Sequence, residues 1–199
     1  ADACLHRITR FAPDGSVLAS WGTWGSAPGE LNQPARAVAG PWNWVYVADA
    51  GNHRVQVFSS DGAFLGTWGG EGTDPGRFRA PTGLAVSSGR VWVLDSGNQR
   101  VQSFTLTGDW VSAWSVPEPA EGLALREDGM VYVTGSQTGR IDVFTPEGNL
   151  EATWTDPPGD LLGGPTGLAW SGDLAWVSRN GTPGITVHTR SGERVDAWG

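Results

Sequence analysis

Lysine is missing from the 199-residue chain: all 13 basic residues are arginine. Acidic residues number 21, for a formal net charge of −8. A non-specific nucleic-acid binder displaces counterions with a basic surface, so this balance speaks against that class and predicts no nucleic-acid partner. Cysteine is nearly missing as well. Cys4 stands alone, which excludes an internal disulfide and any cysteine-built zinc cluster. No apolar run approaches the ~18 residues of a membrane-spanning helix. No stretch reads as an apolar leader, and no segment carries a helical apolar period.

Glycine, at 30 residues, and tryptophan, at 12, are abundant. Disordered chains are poor in aromatics, so the glycines are expected in ordered turns. The sequence then shows internal repeats. The phrase Ala48-Asp49-Ala50-Gly51-Asn52-His53-Arg54-Val55-Gln56-Val57-Phe58 recurs at 1–11 and 94–104, and more weakly at 140–144 and 184–188. Its arginine falls at Arg7, Arg54, Arg100 and Arg140, with Gly184 in the fifth slot. A second phrase closes each unit at Trp21, Trp68, Trp114, Trp154 and Trp198. A third opens the complete units at Pro34, Pro81, Glu121 and Pro165.

Each unit reads as four short strands. An unbroken apolar opening strand is followed by Val45-Tyr46-Val47 or its counterparts. The third strand follows the arginine slot, and the fourth ends at the tryptophan. Asp14-Gly15, Asp61-Gly62, Gly108-Asp109, Glu147-Gly148 and Ser191-Gly192 supply the hairpin turns between third and fourth strands. Four-stranded units of about 40–45 residues predict an all-β fold, a β-propeller of antiparallel blades. The chain divides into a half blade at 1–25 and complete blades at about 26–69, 70–115, 116–155 and 156–199.

Val45-Tyr46-Val47-Ala48-Asp49 followed by Asn52-His53-Arg54-Val55-Gln56-Val57-Phe58 resembles an NHL repeat, and the openings at 28–34 and 75–81 fit it too. The last two blades depart from it, reading Thr138-Gly139-Arg140 and Thr182-Pro183-Gly184. The resemblance implies a propeller, most often six-bladed. The four and a half blades are therefore expected to be completed by residues ahead of Ala1 or by another polypeptide. Members of the family serve as protein-binding or RNA-binding modules and as extracytoplasmic domains of bacterial proteins. The related peptidyl-hydroxyglycine lyases use zinc in the central channel.

Candidate residues follow from the repeat. Asp49 with Arg54, Asp95 with Arg100 and Asp2 with Arg7 straddle the turn between second and third strands. Recurrence in three blades marks them as structural ion pairs and not as anion clamps. Three imidazoles and a water make a catalytic zinc site, but only His6 and His53 share a slot. His188 takes the slot of Phe58, facing a blade interface. No metal site is predicted within the chain, and zinc or calcium would need residues outside it. The Asp-Gly turns lack the acidic ladder of a calcium loop. Cys4 replaces a turn glycine and has no base partner of its own beyond nearby His6.

Eight tryptophans have repeat slots that read as core: the five closing ones, Trp92 and Trp176 in the slot of Tyr46, and Trp110 in that of Phe64. Trp24, Trp42, Trp44 and Trp170 have none. Trp24, Trp42 and Trp44 read as loop residues, a type that anchors partners or stacks on sugars. Arg77 and Arg79, with Glu30, Glu71 and Asp74, line the long connections after Trp21 and Trp68, beside a short connection after Trp114. Loops on a rigid scaffold carry function. The binding candidates are therefore Trp24, Trp42, Trp44, Arg77, Arg79, His6 and His53. The function expected is a non-catalytic scaffold for a protein partner or ligand, without cofactor, extracytoplasmic or secreted. A metal-dependent lyase or hydrolase and an RNA-binding propeller are the alternatives.

Overall fold

The computed structural model describes residues 1–87, 89–117, 119–135, 138–155, 164–180 and 184–199. Thr182 and Pro183, in the last copy of the repeat phrase, lie outside them. Among the described residues, eighteen strands run in chain order. Strands β1 (Ile8–Phe11) and β2 (Val17–Trp21) form a two-stranded sheet. Four-stranded sheets follow. The first comprises β3 (Pro34–Ala39), β4 (Trp44–Asp49), β5 (Arg54–Ser59) and β6 (Phe64–Gly69). Next come β7 (Pro81–Val86), β8 (Val91–Asp95), β9 (Arg100–Phe104) and β10 (Trp110–Ser115). The third holds β11 (Ala120–Leu125), β12 (Val131–Gly135), β13 (Ile141–Phe144) and β14 (Leu150–Trp154). The last holds β15 (Pro165–Ser171), β16 (Leu174–Arg179), β17 (Ile185–His188) and β18 (Arg194–Trp198). Each sheet is a meander with neighbours in sequence order, the architecture of propeller blades.

Two compact units divide the chain, Ala1–Ala113 and Trp114–Gly199. In the first, Ile8, Leu31, Val47 and Phe58 form one core cluster; Tyr46, Val57, Phe78, Leu84, Val93 and Phe104 form another. In the second, Tyr132, Ile141, Trp154, Leu168 and Val177 pack together. Burial follows strand position. β8 and β12 are buried at every residue, whereas β10 and β14 are largely exposed. β-branched and aromatic residues on both faces suit a second strand that has neighbours on both sides. The opening strand β3 departs from this pattern. Ala35 and Arg36 are exposed. Beside the far half of β3 and the two-stranded sheet lies an apolar cavity of about 540 Å3 lined by Ile8, Trp21, Val38, Trp44 and Val45 among others.

One contact between a glycine and a tryptophan recurs inside each unit. The hairpin glycine of one sheet lies on the indole of the preceding closing tryptophan. A Cβ at Gly62 would lie 2.7 Å from Trp21, one at Gly108 2.7 Å from Trp68, and one at Gly148 2.5 Å from Trp114. Gly192 meets Trp154 in the same way. These glycines also have φ of +94°, +98°, +96° and +87°, so turn geometry and close approach both demand glycine.

The tryptophans divide differently from the slot reading. Trp110, Trp176 and Trp198 are 44%, 40% and 44% exposed. Trp110 lies on an outermost strand. Trp176 occupies the face that the following sheet covers in the case of Tyr46, and it stacks on Trp198 at 5.2 Å. Trp170 is a packing residue of β15. Its ring meets Tyr132 at 4.9 Å and carries the Arg126 guanidinium 5.3 Å from its centroid.

Candidate functional site

The register of β3 with β4 defines two ends of the first four-stranded sheet. Pro34 pairs Asp49 at one end and Ala39 pairs Val45 at the other. The first end carries the connection 22–33, the Asp49–Arg54 turn and His53. The second carries Trp42 and Trp44. The expected binding set is thus split between opposite ends of the sheet. Trp44 is also no loop residue. It opens β4 and packs against the core. Trp42 sits at the tip of a short 3-10 turn, 64% exposed, with its ring 4.8 Å from Trp44.

A buried carboxylate organises the first end. Asp49 is fully buried. Its Oδ1 accepts Asn32 N–H at 2.6 Å. Its Oδ2 accepts from Asn52 Nδ2 (2.9 Å), Arg54 Nε (2.7 Å) and Gln56 Nε2 (3.0 Å). Arg54 then donates to the carbonyls of Ser26, Ala27 and Glu30, and Asn52 Nδ2 also reaches Gly25 O. A loop whose backbone polar groups are satisfied by buried side chains is held in one conformation.

The next sheet repeats the arrangement. Asp95 takes Arg79 N–H, Asn98, Arg100 and Gln102. Arg100 donates to the carbonyls of Thr73, Asp74 and Arg77. The Asp2–Arg7 pair is looser, at 3.9 Å with both side chains more than a third exposed. In the third sheet Arg140 pairs instead with Asp142 at 2.7 Å. In the fourth, Arg179 stands opposite Pro165, the place of Asp49, and donates to Thr186 Oγ1.

Both histidines of the repeat slot are spent on the backbone. His6 Nδ1 accepts Gln33 N–H at 3.1 Å and His53 Nδ1 accepts Ala80 N–H at 3.0 Å. A ring nitrogen that accepts must be unprotonated, so in the neutral ring Nε2 carries the proton. Neither nitrogen then offers a lone pair to zinc without losing that bond. His188 lies in the other unit, buried and stacked on Trp154, with ring nitrogens against Gly192 O and Thr186 Oγ1. Among the described residues no three His, Cys, Asp or Glu side chains gather as a metal cluster, and the residues present do not fit a resident zinc. Calcium fares no better at the Asp14 turn. Asp14 Oδ1 accepts both the N–H and the hydroxyl of Ser16, bonds that hold the carboxyl below its usual range.

Of the remaining candidates, the Arg77 guanidinium donates to Gly69 O, and the side chain of Arg79 packs over Gly97. Cys4 is exposed. Trp24 is 72% exposed. It stands beside a cavity of about 340 Å3 lined by Gly25, Ser26, Glu30, Asn32 and Asn52. Asn32 and Asn52 line this cavity beside Trp24 and Glu30; the sequence marked the latter two alone, since a cavity between a loop and a turn leaves no spacing signature. Among the described residues no helix is long and apolar enough to cross a membrane.

The NHL repeat family model matches residues 31–58 and 78–104. No curated protein sequence matches the chain. Among solved structures, virginiamycin B lyase from Staphylococcus aureus, crystallised with quinupristin as a catalytically inactive variant, superimposes with a TM-score of 0.75 at 16% identity. That match covers 98% of this chain and 64% of the lyase, so the chain spans somewhat less than two thirds of its length. Hydrazine synthase from Kuenenia stuttgartiensis matches with a TM-score of 0.65 at 16% identity, over 83% of this chain and 48% of that one. The WD40 repeats of RRP9 match with a TM-score of 0.68 at 15% identity, over 83% and 51%. At such identities the likeness is one of fold, and propellers host many functions.

Proposed function

Taking the chain as an NHL-repeat β-propeller protein, we propose that it is a non-catalytic interaction scaffold. The end of its sheets that carries the 22–33 and 70–80 loops receives a protein partner or a ligand. One observation carries this reading. The Asp, Arg and His side chains that the repeat brings there are engaged by the chain's own backbone and hubs: Asp49 and Asp95 by four donors each, Arg54 and Arg100 by loop carbonyls, and His6 and His53 by amides. General acid–base work needs a group free to exchange a proton with substrate. What this end presents outward is Trp24 and the polar side chains beside it, the composition of a contact surface. The net charge of −8 supports a partner other than nucleic acid.

Metal analysis of the purified protein tests the proposal. The scaffold reading expects zinc far below one per chain. One zinc per chain, lost when His6 and His53 become alanine, would overturn it. The lyase reading draws on the fold shared with virginiamycin B lyase. It requires both imidazoles to give up their backbone bonds, and further ligands from outside the chain.

A further inference from the structure

The two long loops of the first unit are an internal control for each other. In both, a bridge joins the first arm to the second, Trp24 to Leu31 and Glu71 to Phe78. In both, an arginine holds three carbonyls, a glutamine holds a fourth donor–acceptor pair, and an asparagine holds the glycine carbonyl. Backbone demands are therefore the same, and the outward side chains differ. Glu71, Arg77 and Arg79 of the second loop stand where the first has Trp24, Glu30 and Asn32. The fold needs no indole at position 24, because glutamate serves at position 71.

Around that indole the side chains are arranged toward the cavity. Glu30 Oε2 accepts Ala27 N–H at 2.9 Å, which fixes the carboxylate and leaves Oε1 open. Asn52 spends its Nδ2 on Gly25 O and Asp49, leaving its carbonyl oxygen. The Asn32 amide is seated against Gly51, where a Cβ would lie 2.6 Å from its Cγ. That amide has no hydrogen-bond partner among the described residues. The result is one exposed aromatic face, one fixed carboxylate and two amides around about 340 Å3, at the lower end of the range of small-ligand sites.

We propose that this cavity is a saccharide-binding site, taking one or two pyranose units with the ring's C–H face on Trp24 and hydroxyls toward Glu30, Asn32 and Asn52. An apolar ring face suits the indole, and a hydroxylated rim uses donors and acceptors that would otherwise face water. A quaternary ammonium fits less well. It is favoured by several aromatic walls, has no use for two amides, and meets a carboxylate already half engaged. The buried Asp49–Arg54 hub fixes the loop before any ligand arrives, so little ordering is lost on binding. The proposal rests on reading this end of the sheets as the binding face.

Ligand-observed NMR titration of the whole chain tests it. The probes are the methyl glycosides of glucose, galactose, mannose and N-acetylglucosamine, with maltose and cellobiose, and choline as the cationic control. At least one sugar is expected to bind with a dissociation constant of about 1 mM. Trp24→Glu, which copies the residue of the sister loop, is expected to keep the thermal midpoint and weaken that sugar at least about tenfold. Asn32→Ala should weaken it as well. No sugar bound, a sugar bound equally by Trp24→Glu, or choline bound in preference would each overturn the proposal. A zinc-bearing chain would instead sink the scaffold reading while leaving the titration legible.

Discussion

Replacing Asp49 by alanine removes the acceptor of four hydrogen bonds at a fully buried position. It leaves Arg54, whose side chain is only 14% exposed, without its counter-charge. Breaking a buried pair from one side costs about 3–5 kcal/mol. Asp2 is the same letter of the same repeat, yet its pair with Arg7 is 3.9 Å long with side chains 38% and 46% exposed. Such a pair contributes less than about 1 kcal/mol. Urea unfolding followed by tryptophan fluorescence should therefore show Asp49→Ala losing several times more than Asp2→Ala. Hydrogen exchange should also show the Asn32 and Gly29 amides losing protection, since the hub holds both through Asp49 and Gln56. Asp49→Ala with Arg54→Met should recover part of the loss, because no uncompensated charge remains. If Asp49→Ala costs no more than Asp2→Ala, the four-bond hub does not hold the loop and the argument for a preorganised site fails with it.

Other consequences are as direct. Gly15→Ala meets only the cost of a left-handed residue, about 1–2 kcal/mol, because no atom lies within 4 Å of its Cβ direction. Gly62→Ala adds overpacking against Trp21, about 1–3 kcal/mol more, and thermal melts of the two variants should separate accordingly. Burial raises the hydroxyls of Tyr46 and Tyr132, the only two tyrosines, above the ordinary value of 10.0. Their contribution is thus intact below about pH 10. It falls as pH rises through the raised folded values, since the unfolded chain releases these protons first. Absorbance at tyrosinate wavelengths should stay flat until the chain unfolds. Tyr46→Phe should flatten the alkaline limb while costing about 1 kcal/mol for the lost bond to Leu106 O.

Much of the fold was legible because each blade restates the same physical problem. An apolar opening strand, a Val-Tyr-Val-like second strand and a closing tryptophan recur in register, with an Asp-x-x-x-x-Arg turn in three of the copies, and the four-stranded sheets begin and end close to those phrases. The tryptophan slots were read less well. A slot fixes where a ring sits in its sheet, but not what packs on that face. Trp176 repeats the position of Tyr46 and is exposed where Tyr46 is fully buried. Trp44 looked like a loop residue because, with Trp42, it flanks Asn43 in the turn between first and second strands, yet β4 begins at Trp44 itself. The engagement of His6 and His53 was invisible for a similar reason. Their partners are backbone amides of the next opening loop, and no side-chain pattern records a backbone donor. The ion pairs were legible as repeats, but their differing burial was not.

The seat of each hairpin glycine on the preceding indole bears on how such a chain can change length. The joint asks each sheet for the same two parts, a flat ring behind and a bare turn ahead, so any two sheets that keep both can be neighbours. Whole blades can be duplicated, deleted or exchanged with each new seam closing as the old ones did, provided the cut preserves the repeat step. The Asp49 and Asp95 hubs add the opposite property. Each ties a particular loop to its own sheet and allows the loop's outer side chains to diverge without loosening the seam. Sheets joined by a generic contact and loops held by a private one form a chain that can vary its surface blade by blade.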